Sequence, residues 1–488
     1  MPSLYLALLQ TWTWHPYGLH PYQDGDQVTA TAYPTRGASV TPPKLEARRQ
    51  PRAWAVGVAV ALNAVVSVAL WLHHGGLDAI GTPGGPFTAV GQLAGLLGTY
   101  AALVEILLMS RIAWLERSIG FDRLAVWHRW TGFSCVTLLL SHAVFITLGY
   151  AESANQGVFA QTVEFVRHYP DVLMSIAGLL LFVGVAVSST RAARRRLKRE
   201  SWYAIHLYVY LAIALSFAHQ LAVGVDFSTD RLARLWWIAL YAAVFAAVLG
   251  WRIGSPLRFN IRHRLRVLDV TPEADGVVSI YLSGRQLDRV TAQAGQFFLW
   301  RFLTDGGWVK AHPFSLSAPP NRKSLRITVK GLGDDTRRMQ NLRAGVRVFA
   351  EGPYGTFTAD RRTRRRVAFI AGGIGITPLR AILEVLPHDP GNLILLYRVV
   401  APSDVAFRDE LALLSRERGI DVRLLLGAAI GDDRTDHLGI PALQHHIPDL
   451  AQRDVYLCGP PEMLSALRRR LKALNVPRSQ IHFERFDY

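Results

Sequence analysis

Cysteine is almost absent from this sequence, whose 488 residues include only Cys135 and Cys458. Two thiols are too few for an iron–sulfur cluster held by four cysteines, and too few for a disulfide scaffold. The segment CxxCH, which attaches a c-type haem, is missing as well. The sequence therefore excludes iron–sulfur carriers, disulfide-stapled secreted domains and covalently attached haem.

Acidic residues are scarce relative to basic ones: 37 Asp and Glu stand against 54 Lys and Arg, a net charge of +17. Such an excess can indicate nucleic-acid binding, but here the basic residues cluster in alternate loops between apolar segments. The loop "RAARRRLKRE" holds six Lys and Arg, and 111–125 holds three, whereas the loops after the first, third and fifth apolar segments hold none, one and two. This is the positive-inside pattern. It predicts no nucleic-acid partner, and it puts the N-terminus, the basic loops and the C-terminal half on the cytoplasmic side of an inner or plasma membrane.

Long apolar runs are abundant in the first half of the chain. Six of them have the roughly 17–25 residues that a transmembrane helix needs, and they cover 53–72, 87–109, 126–150, 172–190, 202–225 and 235–251. After Arg252, short strands, turns and amphipathic helices alternate. We expect a disordered cytoplasmic tail at 1–50, a membrane-embedded all-α six-helix bundle at 51–253, a small antiparallel β-barrel at 258–360 and an α/β parallel-sheet domain at 365–488.

Four histidines lie within the predicted spans, as His128 and His142 on span three and His206 and His219 on span five. Both spans should cross in the same direction, so His128 shares a depth with His206, and His142 with His219. At a rise of 1.5 Å per residue the two levels are about 20 Å apart. Two facing imidazoles at one depth suit bis-axial ligation of a haem iron. The array predicts two haem sites, one near each membrane face.

Other interpretations of the histidines stay open. A zinc centre needs three or four protein ligands, and we expect no Asp, Glu or Cys at the depth of either pair. Histidines that are hydrogen-bonded within a helix bundle are the structural alternative. Thirteen residues are about 3.6 turns, which leaves His219 out of phase with His206; a π-bulge in span five, or two haems rotated relative to each other, would accommodate this. Arg129 is either a partner of a haem propionate or an interfacial anchor.

The segment "HPFSLSAPP" stands between the predicted strands "AGQFFLWRF" and "SLRITVKGLGDDT". It resembles the flavin-binding motif HPF(S/T) in the ferredoxin–NADP reductase-like domain of NADPH oxidases and ferric reductases. The resemblance implies that His312 lies near the FAD phosphates, that Phe314 and Ser315 lie against the isoalloxazine, and that Ser315 can hydrogen-bond near N5. In "VKGLGDDT" it implies that Gly333 and Thr336 approach the pyrophosphate. The implied FAD-binding residues are His312, Pro313, Phe314, Ser315, Gly333 and Thr336.

The segment "RRVAFIAGGIGITPLRAILEVL" has the pattern strand, glycine turn, helix. Glycines allow a phosphate to approach the backbone closely, and a helix N-terminus offers free N–H groups. Thr377 is the predicted N-cap and Pro378 the predicted first helical residue. The complete "GGIGITP" resembles the nicotinamide-nucleotide motif of the same reductase family. The implied binding residues are Gly372, Gly373, Gly375, Thr377 and Pro378.

The next predicted strand, "NLILLYRVV", lacks the Asp or Glu that would bind a ribose 2′-hydroxyl and carries Arg398 instead. An arginine at this point favours a 2′-phosphate, and therefore NADPH, with NADH still possible. Arg408 is a second candidate, although a solvated helix charge explains it equally well.

Two further elements extend the resemblance. "DVYLCGPPEM" is similar to the family's CGP element beside the nicotinamide, so Cys458 would shape the hydride-transfer site with Gly459 and Pro460 without acting as a nucleophile. A small buried core residue is the alternative for Cys458. The family commonly ends with an aromatic residue stacked on the flavin. Phe486 fits this role best, Tyr488 is the other candidate, and a plain edge strand is the structural alternative.

Over residues 53–488 the sequence thus resembles the NADPH oxidase and ferric reductase family in its bacterial form. The resemblance implies a flavohaem transmembrane oxidoreductase with FAD, two haem b per chain and NADPH, seated in membrane lipid. FAD would convert the two electrons of a hydride into single electrons for haem iron.

With both axial positions filled by histidine, the acceptor would collect its electron at the haem edge, and several acceptors remain open. Oxygen, giving superoxide, is the first choice. A ferric chelate or siderophore is second, and a periplasmic partner protein is a further option, although no protein partner is evident. The alternative from another class is a six-helix transporter or receptor with a vestigial reductase domain.

Overall fold

The computed structural model describes residues 52–304, 307, 310–427 and 436–484. The predicted tail at 1–50, as well as Phe486 and Tyr488, lies outside these residues. The described chain forms two compact units, which meet in sequence at Ser255 and Pro256.

The first unit is helical. Its helices are α1 (Arg52–His73), α2 (Gly85–Met109), α3 (Ala113–Ile119), α4 (Phe121–Ser153), α5 (Val158–His168), α6 (Val172–Ser188), α7 (Arg191–Arg196), α8 (Arg199–Val223), α9 (Val225–Thr229) and α10 (Arg231–Val248), followed by a π-helix (Leu249–Gly254). Helix α11 (Ser255–His263) continues from the π-helix without a break, and all but its first residue belongs to the second unit. Among the described residues, five helices are long and apolar enough to cross a membrane, namely α1, α2, α4, α8 and the continuous α10–α11 segment. The pair α5 and α6, bent by 116°, gives a sixth if it counts as one span. The predicted multi-span helical architecture is confirmed.

Helix α2 packs closely along α4 because glycines line its contact face. A Cβ atom on Gly91 would lie 2.8 Å from the backbone nitrogen of Ile146, and one on Gly95 would lie 2.5 Å from Nδ1 of His142. Small residues at such positions let two backbones approach within a membrane. The glycines of α2 therefore make room for a histidine of α4.

Helices α6 and α8 approach each other in the same way. A Cβ on Gly178 would lie 2.5 Å from Oγ of Ser216 and 2.8 Å from the carbonyl oxygen of Ala212. Helix α8 is regular over its whole length, so the π-bulge considered for span five is wrong, and the π-helix lies in span six instead. Because α8 is regular, the phase difference between His206 and His219 is retained.

After α11, the second unit contains two antiparallel three-stranded sheets. Their strands are β1 (Arg266–Ala274), β2 (Val277–Ser283), β3 (Phe297–Phe302), β4 (His312–Ser315), β5 (Leu325–Lys330) and β6 (Val348–Tyr354), paired in the orders β1-β2-β5 and β4-β3-β6. Helix α12 (Asp334–Met339) follows β5. Isolated bridges between Leu316 and Ile327 and between Arg266 and Arg347 join the sheets at two places. Phe298, Trp300 and Ile327 are fully buried between them. This agrees with the predicted antiparallel β-barrel.

A five-stranded parallel sheet follows, as predicted for an α/β domain. Its elements are β7 (Val367–Gly372), α13 (Ile376–Val385), β8 (Leu393–Val399), α14 (Arg408–Arg418), β9 (Asp421–Leu426), α15 (Ile440–His446), β10 (Asp454–Cys458), α16 (Pro461–Ala473) and β11 (Ile481–Glu484), and the strand order is β11-β10-β7-β8-β9. Strands β7 and β10 are buried along their whole length. Such continuous burial is typical of parallel strands covered on both faces.

A buried ionic cluster connects the β-sheets to the α/β domain. Arg326 on β5 is 3% exposed and donates to Glu410 on α14 at 2.5 and 3.0 Å. Oε2 of this carboxylate also lies 2.5 Å from Nε of Arg380 on α13. Burial opposes ionisation of Glu410, but the hydrogen bonds and charges of the two arginines hold its pKa below the usual range. Removal of one partner would leave a charge in this site uncompensated, so it should destabilise the contact between the two parts of this unit.

The turn after β7 packs against the turn after β10. A Cβ on Gly375 would collide with the carbonyl oxygen of Cys458 and lie 2.7 Å from the backbone nitrogen of Gly459. A Cβ on Gly372 would instead meet the side chain of Met463, with Sδ at 2.6 Å. The first contact is with backbone, which cannot move away, and the second is with a flexible side chain.

These contacts predict that Gly375→Ala destabilises the second unit more than Gly372→Ala does. Overpacking against a rigid neighbour costs about 1–3 kcal/mol, whereas Met463 can adopt another rotamer. The unfolding temperature of the purified protein in detergent, measured by scanning fluorimetry, provides the comparison. Equal unfolding temperatures for the two variants would contradict the packing described for Gly375.

Candidate functional site

The predicted inner pair, His128 on α4 and His206 on α8, is brought together. Their ring centroids are 5.9 Å apart, and the rings are inclined by 67°. With metal–nitrogen bonds of about 2 Å, two imidazoles on one metal ion would have centroids about 6 Å apart. The separation therefore fits two axial ligands of a single haem iron.

An acidic residue lies at this depth, contrary to the expectation from the sequence. Oε2 of Glu105 on α2 is 2.6 Å from Nδ1 of His128. The expectation was wrong because depths were compared only for helices that carry histidines. Helix α2 carries none, so the depth of Glu105 was not compared with that of the pairs on α4 and α8. No group of three or more His, Cys, Asp or Glu that could hold a metal ion occurs among the described residues. A zinc centre thus remains disfavoured, and Glu105 is a neighbour of the candidate iron ligand.

The predicted outer pair, His142 and His219, lines one cavity of about 520 Å³ in the helical unit. Nδ1 of His142 lies 2.8 Å from the carbonyl oxygen of Gly91, which orients the ring and leaves Nε2 for a ligand. Next to His219, Gln220 accepts hydrogen bonds from Trp237 at 2.9 Å and from Tyr241 at 3.0 Å. A cavity of this size, walled by apolar helices and lined by two imidazoles, fits a haem.

The predicted flavin motif lies at another cavity, of about 330 Å³, in the second unit. Its lining brings together the predicted residues His312, Pro313, Phe314, Ser315, Gly333, Thr336 and Thr377, together with Thr328, Lys330, Leu332, Asp334, Asp335 and Ile374. Trp300 donates to the carbonyl oxygen of Phe314 at 2.9 Å and so fixes the motif strand from within the core. Oγ of Ser315 is buried and has no hydrogen-bond partner among the described residues. A buried hydroxyl in this condition fits a ligand atom that hydrogen-bonds to it.

Three ionisable side chains that line this cavity are those of His312, Asp335 and Lys330. Burial lowers the pKa of His312, which favours the neutral form of its ring. Hydrogen bonds from Lys310 and Arg338 lower the pKa of Asp335, which keeps that carboxylate ionised. Lys330, which the sequence analysis did not select, lines the cavity and contacts Asp404 at 3.3 Å. Its place directly after the alternating strand "LRITV" was the available signal.

The nicotinamide motif lies where β7, β8 and β10 end side by side. Gly372 is in register with Arg398, and Ala371 is in register with Cys458. Gly373 has a φ of +53°, a left-handed conformation that favours glycine. The glycine turn, Arg398 and the segment from Cys458 to Pro460 therefore meet at the carboxyl edge of the sheet, where open α/β sheets bind their ligands.

The predicted start of α13 needs a correction. The helix begins at Ile376 with Gly375 as its N-cap, so Thr377 is not the cap and Pro378 is not the first helical residue. Thr377 instead donates its hydroxyl to the carbonyl oxygen of Ile374 at 3.0 Å. A 3₁₀ turn from Gly373 to Gly375 moves the helix start towards the glycines, a shift within the usual uncertainty of helix boundaries.

Cys458 is fully buried at the end of β10. Burial, and secondarily the carboxylate of Glu484, raises the pKa of its thiol well above the usual value. A thiol that stays protonated is a poor nucleophile. This supports the expectation that Cys458 shapes its surroundings and does not attack a substrate.

Two families match separate parts of the chain. Residues 94–217 match the family described as "Ferric reductase like transmembrane component", and residues 369–469 match "Oxidoreductase NAD-binding domain". The first range includes His128, His142 and His206, and His219 follows two residues later. The second range includes the glycine turn, Arg398 and Cys458.

Two curated relatives that match less than half of this chain are named as reductases. It is 29% identical over 229 residues to the stachydrine N-demethylase reductase subunit Stc4 of Rhizobium meliloti, covering 44% of this chain and 64% of that protein. It is 28% identical over 214 residues to ferredoxin–NADP reductase B of Sorangium cellulosum, covering 40% of this chain and 85% of that protein. The chain thus spans less than two thirds of the length of the first of these relatives.

Among solved structures, the chain is similar to the flavohem-like FAD/NAD binding domain of nitric oxide dioxygenase from Vibrio cholerae. The identity is 25%, the TM-score is 0.38, and the similarity covers 46% of this chain and 99% of that domain. Apolar helices with paired histidines, antiparallel sheets and a parallel nucleotide-binding sheet follow one another here in one polypeptide. The chain therefore has a ferric reductase/NADPH oxidase-like architecture, with a ferric reductase-like transmembrane component followed by a ferredoxin–NADP reductase-like FAD/NAD-binding region.

Proposed function

We propose that this protein is an NADPH-dependent transmembrane oxidoreductase that uses FAD and two b-type haems to pass electrons to an acceptor on the extracytoplasmic side. The observation that carries the proposal is the two-level histidine array on α4 and α8, in the same chain as the flavin and nicotinamide motifs. His128 and His206 would hold the inner haem, and His142 and His219 the outer one. When bound, FAD takes a hydride from NADPH and releases electrons singly to haem iron.

The chain's own residues would prepare each cofactor site. Ser315 would donate to the flavin edge, and Lys330 would balance negative charge in the same cavity. Gly373 and Gly375 would let the nucleotide phosphates approach the backbone, and Arg398 would face the 2′-phosphate. The positive-inside distribution of Lys and Arg supports a cytoplasmic reductase unit.

The lining of the outer cavity favours oxygen as the acceptor. Asp226 lines this cavity together with His74, whose ring nitrogens lie 3.1 Å from Asp226 and 3.2 Å from Asp230. The described residues that line the cavity include no Lys and no Arg. With the outer haem in this cavity, its surroundings would offer an anionic ferric chelate no Lys or Arg as a counter-charge, whereas neutral oxygen needs none.

An acceptor panel on proteoliposomes tests this order of acceptors. NADPH is supplied only on the face that carries the reductase unit, and either oxygen or ferric citrate is offered on the opposite face. We expect superoxide formation to exceed ferric reduction. Faster ferric reduction would assign the protein to the ferric reductases, and transfer only to an added periplasmic fraction would indicate a partner protein.

A reduced-minus-oxidised spectrum of the purified protein separates electron transfer from the transporter or receptor alternative. Two haem b per chain support electron transfer. A protein that carries no haem would contradict the proposal and leave the transporter or receptor with a vestigial reductase.

Replacement of both His142 and His219 by Ala should lower the haem content from two to one per chain. These residues line the same cavity, and neither belongs to the inner pair, so the inner haem should still be reduced by NADPH while transfer across the membrane stops. Haem is counted by the pyridine haemochrome assay. His168→Ala, on the exposed surface of α5, is the control and should retain both haems. Two haems in the double variant would contradict the pairing.

Arg398→Ala should raise the KM for NADPH about ten- to a hundred-fold and leave the KM for NADH nearly unchanged. Only NADPH carries the 2′-phosphate, and a charge-assisted hydrogen bond contributes about 1.5–3 kcal/mol. Steady-state reduction of an artificial acceptor measures both constants. Arg408→Ala is the matched control, since that guanidinium already donates to the carbonyl oxygen of Pro402 at 2.7 Å. Equal effects on both nucleotides would remove Arg398 from the phosphate site.

Truncation after Arg485 should change the rate of flavin reduction while leaving both haems in place. An aromatic side chain stacked on the isoalloxazine would occupy the face that the nicotinamide must reach. Stopped-flow reduction by NADPH compares the truncation with Phe486→Ala and Tyr488→Ala. We expect Phe486→Ala to reproduce the truncation. If only Tyr488→Ala does so, Tyr488 is the stacking residue, and if neither has an effect, the segment has a purely structural role.

A further inference from the structure

Glu105 has an unusual environment for a carboxylate. It is the only acidic residue of α2, between apolar neighbours in "ALVEILL", and its side chain is only 14% exposed. An ionisable residue within a membrane-spanning helix is costly to desolvate and usually has a functional partner. The described contacts of Glu105 identify that partner.

The partner is the candidate inner ligand. Oε2 of Glu105 lies 2.6 Å from Nδ1 of His128, while Oε1 is buried without a hydrogen-bond partner among the described residues. The separation of Oε2 and Nδ1 is within hydrogen-bonding range, although no hydrogen bond of Nδ1 is formed among the described residues. Gly132, one turn after His128, provides the space, since a Cβ there would lie 3.0 Å from Oε2.

His142, the candidate ligand of the outer haem on α4, has a different neighbour at its Nδ1 atom. Nδ1 of His142 lies 2.8 Å from the carbonyl oxygen of Gly91, a neutral acceptor. A carboxylate behind a metal-bound imidazole raises the basicity of the ligand more than a neutral carbonyl does. A more basic ligand stabilises ferric over ferrous iron and so lowers the reduction potential. The two histidines of α4 would thus differ in basicity, and the basicity of a ligand affects the reduction potential of the iron that it binds.

We propose that Glu105 is a positioning residue for the inner haem and makes its reduction potential lower than that of the outer haem. The inference rests on the proposed function. The carboxylate would accept the Nδ1–H of His128 and so keep Nε2 directed at the iron. One electron would leave the iron between His128 and His206, taking it from ferrous to ferric, and would reduce the iron between His142 and His219 from ferric to ferrous. No proton moves in this step, and NADPH supplies the electrons through FAD.

The test is a spectroelectrochemical titration of the haems in detergent, with and without Glu105→Gln. The amide keeps the size of the side chain and removes its charge. At the wild-type midpoint of the lower-potential haem, the ratio of ferrous to ferric haem in the variant should rise at least tenfold, which is 59 mV for one electron. The higher-potential haem should stay unchanged. In the His142→Ala/His219→Ala background, the single remaining haem should show the same shift.

Glu164→Gln is the matched control, because Glu164 pairs at 3.1 Å with His168, an exposed histidine outside the array. It should leave both potentials unchanged. If Glu105→Gln loses the inner haem, Glu105→Asp, which retains a carboxylate, should restore it; loss of haem in both variants would overturn the inference. An unshifted potential, or an equal shift of both haems, would overturn it as well. A wild-type protein without haem would instead overturn the proposed function.

Discussion

The close approach of α2 to α4 is the constraint on which the membrane half of this protein depends. Gly91 and Gly95 leave no side chain between the two helices, and His142 occupies the space beside them. The backbone of α2 also provides the carbonyl oxygen of Gly91, which orients His142, and about four turns further along, α2 provides the carboxylate beside His128. One helix without histidines therefore positions a candidate ligand at each membrane level.

In the second unit, contacts between the antiparallel sheets and the α/β domain position the residues of the flavin cavity. The flavin cavity is lined by strands of one part and by Ile374 and Thr377 of the other. The cluster of Arg326, Glu410 and Arg380 joins these parts through ion pairs between β5, α13 and α14. Flavin and nicotinamide motifs that are more than fifty residues apart in sequence are thereby brought within one unit, as hydride transfer requires.

Much of this arrangement could be predicted from the sequence, because it depends on local patterns. The spans follow from length and hydropathy, the parallel sheet from alternating strand and helix signals, and the glycine turn from its composition. The pairing of His128 with His206 follows from helix rise alone, and the structure brings these rings together.

The parts that could not be predicted depend on packing between distant segments. Glu105 acquires its significance only through the rotation and depth of α2 against α4, which residue spacing within one helix does not give. The regular geometry of α8 could not be predicted either. The phase difference between His206 and His219 is compatible with a π-bulge in the helix or with two haems rotated relative to each other, and the sequence does not distinguish them. The start of α13 moved because a 3₁₀ turn replaced the expected cap.

The buried hydroxyl of Ser315 has a consequence for the fate of the protein in the cell. A buried polar atom without a partner costs about 1–3 kcal/mol, and a ligand that satisfies it returns that free energy to the folded state alone. Cofactor binding and folding are then linked, since whatever binds only the native form lowers the population of the unfolded form. A chain that is made when flavin is scarce would unfold more often, and would therefore be degraded sooner, than a chain made when flavin is plentiful.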